Sequence, residues 1–158
     1  MSAYLFDTSA LAKHYHPEVG SSSVDALLAT SSTARFVSRL SAVELHSVLA
    51  KKVREGALSS NDLERLRRRF LFDVHAGTIS ILRMASSHYG LAQQLIIKHG
   101  PTRKLLTLDA LELAVAMDTH ARVTLKGFVV ADIRLEELAN AEGLPTVNPE
   151  SSALATGP

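Results

Sequence analysis

The sequence has no cysteine, which excludes disulfides and thiolate metal sites and fits a reducing compartment. It also lacks any apolar run approaching the roughly 18 residues that a membrane span requires. Residues 1–15 carry an acid at position 7 and no basic stretch ahead of their apolar residues, so neither a secretory leader nor a membrane anchor is expected. A cytoplasmic protein is. Charge of one sign is missing as well: 17 Lys and Arg against 16 Asp and Glu leave a formal charge of +1. No global positive field imposes nucleic-acid binding, and any such site must be local. Aromatic residues make up only 5%; Phe36 and Phe128 fall in expected strands near the candidate site, and a stacking platform for single strands is not evident.

What is present suffices for a single domain. The chain has 158 residues, 46% of them apolar, enough to fill one core. Tyr4-Leu5-Phe6 reads as a buried strand that stops on Asp7, and "DTSALAKHYHPEVG" as a turn into a helix broken before Pro17 and Gly20. Residues 21–30 form a second short helix, and "RFVS" (35–38) the next strand. From Leu40 to Arg54, apolar residues recur at helical spacing up to Gly56. "LSSNDLERLRRRFLF" opens with cap-type residues and continues as a basic helix that forms a hairpin with its predecessor. "TISIL" (78–82) is a strand, and residues 84–98 a helix ended by Gly100-Pro101. "LDALELAVAMDTHA" is apolar almost all round and predicts a buried helix. "GFVVAD" is a strand, "IRLEELANAEG" a helix and "PTVN" a last strand. Strands alternating with helices predict an α/β fold with a mainly parallel sheet. The domain is expected over residues 1–148, with 149–158, "PESSALATGP", as a frayed tail.

In that arrangement four acids occupy equivalent places. Asp7 follows the first strand, Glu44 lies in the first turns of the helix after the second, Asp109 begins the buried helix, and Asp132 follows "FVVA". All sit at the carboxyl end of the sheet, where open α/β sheets bind ligands. Each has a plain structural reading. Asp7, Asp109 and Asp132 can be helix caps worth about 1 kcal/mol apiece, and Ser41-Ala-Val-Glu44 spells a capping box. Their recurrence along one edge carries more weight than any one of them. Two carboxylates about 4 Å apart repel by roughly 4 kcal/mol at an effective dielectric near 20, whereas a helix N-terminus returns only about 0.3–1 kcal/mol per acid. A hard divalent cation can hold such a cluster, and oxygen donors select Mg²⁺ or Mn²⁺ over Zn²⁺. Phosphodiester hydrolysis is the chemistry that one or two such ions serve.

"LFDTSALAK", "SAVELHSVLAKK", "LDALELAVA" and "VVADIRLEELANAEGLPTVNP" resemble, in order and spacing, the acidic motifs of PIN-domain nucleases, in particular the VapC-type toxins of bacterial toxin–antitoxin pairs. The resemblance runs from Tyr4 to Pro149. It implies a PIN-like three-layer fold with a five-stranded sheet between helices, and a Mg²⁺- or Mn²⁺-dependent endoribonuclease. It further implies a homodimer and a cognate VapB-type antitoxin. Asp7, Glu44, Asp109 and Asp132 fall on the four acidic positions and would be the catalytic residues and metal ligands, with Thr8 or Ser9 orienting Asp7. The last motif departs from the family, which often has Thr or Ser two residues before the acid; here that residue is Val130.

Glu112, three residues beyond Asp109, reads equally as a fifth acid at the rim or as a salt-bridged surface residue; Asp118 points away. Arg35, Arg39, Arg103 and Lys104, close in sequence to the acids, are the candidate RNA contacts. Arg65, Arg68 and Arg69 read as a solvated charged face that can also meet phosphate. Leu11, Val24, Leu27, Leu28, Leu63, Leu66 and Phe70 are core positions that an antitoxin groove could share. Two other readings stand beside the nuclease. One is a non-catalytic PIN-like binding module. The other is a phosphatase or phosphoreceiver with Asp7 as nucleophile, against which Asp7 has no partner acid at position 9, a serine.

Overall fold

The strand Ser2–Phe6 (β1) turns Ala3 and Leu5 to one side and Tyr4 and Phe6 to the other, as the two-residue period of an extended chain demands. The computed structural model describes residues 2–151. In chain order β1 is followed by helices α1 (Thr8–Tyr15) and α2 (Ser21–Ala29), strand β2 (Ala34–Ser38), and helices α3 (Arg39–Arg54) and α4 (Ser60–His75). Strand β3 (Ser80–Leu82), helices α5 (Ser86–His99) and α6 (Thr107–Arg122), strand β4 (Thr124–Val129), helix α7 (Ile133–Ala141) and strand β5 (Thr146–Val147) complete it. The five strands make one sheet in the order β3-β2-β1-β4-β5. Every pairing is parallel, with Leu5 opposite both Phe36 and Phe128. The sheet is therefore wholly parallel, a simpler case than the mainly parallel one expected.

Each face of the sheet carries its own core, giving three layers. On one face Leu5 and Phe128 pack with Leu95 of α5, Leu113 of α6 and Leu135 and Leu138 of α7. On the other, Phe6, Val37 and Val129 pack with Leu11 of α1, Val24 of α2, Leu45 and Leu49 of α3, and Leu66 and Phe70 of α4. Leu11, Val24, Leu28, Leu66 and Phe70 are thus buried core, and the apolar side chains left on the surface of α3 and α4 are Val43, Leu71 and Phe72.

Three expectations are corrected. β4 begins at Thr124, three residues before "GFVVAD", and ends at Val129, because its pairing with β1 starts at Ser2 and Thr124. The Ser41–Glu44 capping box does not form: Ser38 caps α3, accepting from the Ser41 amide at 2.8 Å, which leaves Glu44 inside the helix. Third, the expected tail is anchored at its start. Pro149 is buried and Glu150 ion-pairs with Lys13. Gly20 makes room for this turn: its φ of +88° suits glycine, and a Cβ there would lie 2.9 Å from the Pro149 carbonyl oxygen. Residues 152–158 of that expected tail lie outside the described residues.

The parallel sheet sends the carboxyl ends of all strands to one edge. Strand order reverses between β1 and β4, and the crevice at such a switch point is where α/β sheets take ligands. Leu113 is fully buried where α6 meets the sheet and so fixes the helix whose first turn carries Asp109. Leu113→Ala should lower unfolding free energy by about 2–5 kcal/mol in urea titration; a loss below about 1 kcal/mol would show that α6 is not a core helix.

Candidate active site

Asp7 and Asp132 emerge side by side at the switch point because β1 and β4 end there. Both are helix caps, as the conservative reading had it. Asp7 caps α1, accepting from the Ser9 amide at 2.9 Å; Asp132 caps α7, accepting from the amides of Arg134 at 2.8 Å and Leu135 at 3.3 Å. Asp109 is not a cap: Leu106 holds that position, and Asp109 sits in the first turn of α6. Because α6 precedes β4 and runs back along it, its N-terminus returns to the same edge.

Ser9 is the joint of the site. Its hydroxyl donates to Asp7 Oδ2 at 2.6 Å and accepts from the Ala131 amide at 3.0 Å, tying the first acid to the segment that carries Asp132. Of the two residues expected to orient Asp7, Ser9 does so, while Thr8 donates instead to Glu44 Oε2 at 2.9 Å and brings α3 into the cluster. Val130, where the family pattern often has a hydroxyl, is buried with its amide on the Val147 carbonyl. The Ser9 hydroxyl supplies the link across the β1 and β4 ends.

Glu112 is not at the rim. It is 1% exposed, its Oε1 accepting from the hydroxyls of Ser38 and of Ser41, the latter at 2.9 Å. Its other oxygen, Oε2, is buried with no hydrogen-bond partner among the described residues. Burial, and then the charge of Asp7, push its carboxyl up to about 8 against the pull of the two serines. Asp7 is raised first by burial, against the hydrogen bonds from Ser9, with Asp132 adding to it. Glu44 is raised by burial, opposed by the Thr8 hydroxyl, and by Asp7 and Asp109. Asp109 is raised by burial and by the charges of Asp7 and Asp132, and lowered by Arg134. The charge of Asp7 acts on Glu44, Asp109 and Glu112, and that of Asp132 on Asp7 and Asp109, so the acids form one electrostatic site.

Among the described residues no three His, Asp or Glu side chains are already drawn into a cage for a metal ion. Carboxylates that repel one another spread to the limit their anchors allow, and here hydroxyls and amides anchor Asp7, Glu44 and Asp132. The donor set fits a hard cation: all oxygen, with burial and mutual charge penalising the anions, and one buried carboxylate oxygen without a partner among the described residues.

The expected RNA contacts divide. Arg35 is removed from the set. It lies three residues short of the carboxyl end of β2, about 10 Å away along the strand, and its guanidinium donates to the carbonyls of Thr78 at 2.7 Å and Thr30 at 2.9 Å. Arg39, the first residue of α3, is exposed, as are Arg103 and Lys104 in the segment leading to α6. Arg65 pairs with Asp62, Arg68 pairs with Glu64, and Arg69 stacks on Tyr15 at 5.6 Å, which makes that helix face a self-paired one. Sequence reasoning missed Arg134, 3.8 Å from Asp132, and the two serines under Glu112. The cap position of Ser38 was a usable signal; Ser41 was marked only as a cap for Glu44, and nothing local marked Arg134.

A model of the PIN domain family matches residues 4–141. No curated protein matches the chain in direct comparison. The fold is similar to that of Mycobacterium tuberculosis VapC20, described as a sarcin–ricin loop cleaving toxin, with 15% identity over 92% of this chain and 99% of that one at a TM-score of 0.64. It is likewise similar to a chain of a toxin–antitoxin complex from Klebsiella pneumoniae (20% identity, 92% and 97% covered, TM-score 0.60). VapBC-1 from nontypeable Haemophilus influenzae gives 16% identity, 94% and 99% coverage and a TM-score of 0.60.

Glu112 sets a pH dependence whose sign is opposite to that of a salt-bridged acid. Folded, it keeps its proton up to about pH 8; unfolded, it ionises near 4.5. Its contribution to stability therefore falls as pH rises between those values and levels off above the upper one. Glu112→Gln, fixed in the neutral form, should be more stable than wild type in EDTA near pH 8, by an amount of order a few kcal/mol that closes toward pH 5. A gap that stays constant over that range in urea titrations would contradict the assignment.

Proposed function

The chain belongs to the PIN domain family, and from that premise we propose that it is a Mg²⁺- or Mn²⁺-dependent endoribonuclease, the toxin of a VapBC-type toxin–antitoxin pair. The observation that carries this reading is the convergence of Asp7, Glu44, Asp109 and Asp132 on one sheet edge around the buried, half-unsatisfied Glu112. A cluster that raises the pKa of its own members is held at a cost, and a cation offsets that cost.

Asp7, Asp109, Asp132 and Glu44 are the residues that would hold one or two divalent ions. When bound, such an ion lowers the pKa of a coordinated water and neutralises charge developing on phosphate oxygens. The protein does the rest. Ser9 fixes the Asp7 carboxylate, the α7 amides fix Asp132, and Thr8 fixes Glu44. Glu112 can give up its proton as positive charge arrives beside Asp7. Arg134, Arg39, Arg103 and Lys104 supply cations for the RNA backbone at the rim.

The antitoxin and the homodimer belong to the same proposal. Support for the antitoxin comes from the Klebsiella pneumoniae neighbour being part of a toxin–antitoxin complex and from a groove of about 390 Å³ between α3 and α4, lined by Arg39, Val43, His46, Phe70, Leu71 and Ile81. Among the described residues no helix is long and apolar enough to cross a membrane, and the absence of cysteine suits the cytoplasmic location that such a toxin requires.

Purified protein should cleave RNA with Mg²⁺ or Mn²⁺ and stop in EDTA. Ser9→Ala should lower activity or metal affinity about 10–100-fold, and Asp7→Asn should cost more than that. Cleavage that persists in EDTA or in Asp7→Asn would overturn the proposal, and a calorimetric titration without Mn²⁺ binding would point to a non-catalytic PIN module.

A further inference from the structure

Next to the acids, a concavity of about 400 Å³ opens among Thr8, Ser9, Lys13, Lys52, Asp132 and Glu150. Lys13 is its unusual wall. This α1 lysine has a side chain only 5% exposed, and its ammonium meets Glu150 Oε1 at 2.5 Å and Glu18 Oε1 at 3.4 Å. Lys52 of α3 reaches the other oxygen of Glu18 at 3.4 Å. A buried ammonium needs compensation that an apolar side chain of similar size would not, so packing alone does not call for lysine here.

The two carboxylates differ in how firmly they are held. Glu18 bridges both lysines and sits in the short turn between α1 and α2. Glu150 follows β5, its side chain is 44% exposed, and its amide donates to Asn148 Oδ1 at 3.0 Å. Glu150 is the member that can leave without unfolding a helix. With it in place the two lysines contact two carboxylates; with it gone, they share Glu18 alone. The concavity shares Thr8, Ser9 and Asp132 with the acid site, and Lys13 lies six residues from Asp7, about 9 Å down the axis of α1. It is placed for a neighbouring backbone group rather than for the bond that is cut.

We propose that Lys13 and Lys52 form a binding site for an RNA phosphodiester flanking the scissile one, and that the Glu150 carboxylate occupies it in the free protein until substrate displaces it. The proposal rests on the endoribonuclease reading. A phosphodiester presents anionic oxygens to the Lys13 ammonium as Glu150 does, and its single charge matches the charge that Glu150 leaves behind. The Glu150 segment is then a built-in competitor, which raises the substrate concentration needed for half-maximal cleavage without touching the acids.

The test is cleavage kinetics on a short single-stranded RNA with Mn²⁺, for wild type, Glu150→Ala, Lys52→Met and the double variant Lys13→Met with Glu150→Ala, each checked by thermal melting. Glu150→Ala should lower KM about fivefold with kcat within about twofold, while Lys52→Met and the double variant raise KM above wild type. The double variant should also reduce the dependence of log affinity on log salt by about 0.7, the loss of one phosphate contact on a single strand. Wild type that cleaves RNA with a KM unmoved by Glu150→Ala, or a double variant that behaves as Glu150→Ala does, overturns the subsite and leaves the nuclease standing. Wild type that neither cleaves RNA nor binds it by fluorescence anisotropy overturns both.

Discussion

Negative charge gathered at one sheet edge is the constraint around which this molecule is built. Asp7, Glu44, Asp109 and Glu112 are each raised by burial and by the charge of a neighbouring acid, with Asp132 acting on Asp7 and Asp109, and a fold that stabilised only itself would scatter these acids. Four of the five are instead gripped by directional hydrogen bonds from hydroxyls or amides of the fold. Ser9 holds Asp7, Thr8 holds Glu44, Ser38 and Ser41 hold Glu112, and the first turn of α7 holds Asp132. Neutral donors can do this without cancelling the charge, which Lys or Arg in the same places would do. The charge stays available for a cation.

The same economy explains why the proposed metal-holding role and the capping role coincide. An N-cap aims a carboxylate at the free amides of a helix start and stands it off the end of the preceding strand. In a parallel sheet every strand end delivers such a start to one edge. The switch between β1 and β4 brings two of these together, Asp7 and Asp132, and the Ser9 hydroxyl locks their spacing by bonding to both Asp7 and the Ala131 amide. Positive charge is kept to the periphery: Arg134 beside Asp132, and Lys13 and Lys52 in the adjoining concavity, where carboxylates balance them.

Most of the architecture was readable from periodicity. Alternation in β1, helical spacing from Leu40 to Arg54 and the all-round apolar α6 each carry a local signal that tertiary packing reinforced. Boundaries were harder. β4 reached back to Thr124 because its length is set by its partner β1, and no residue in "VTLK" announces that. The capping box at Ser41 failed because Ser38, one turn earlier, had the better geometry and Ser41 was needed under Glu112. Pro149 and Glu150 read as tail because their anchors, Gly20 and Lys13, lie some 130 residues earlier in the chain.

The chain alone determined the strand and helix order, the parallel sheet and the four acids that end up at one edge, since strand–helix alternation forces parallel crossovers and strand ends then share a side. Only the tertiary structure decided what surrounds those acids. It turned Glu112 inward under two serines, gave Thr8 to Glu44, withdrew Arg35 to hold backbone carbonyls, and set Glu150 on the buried ammonium of Lys13. Hydrogen bonds and ion pairs between residues distant in sequence carry no periodicity, so they become visible only when the chain has closed around them.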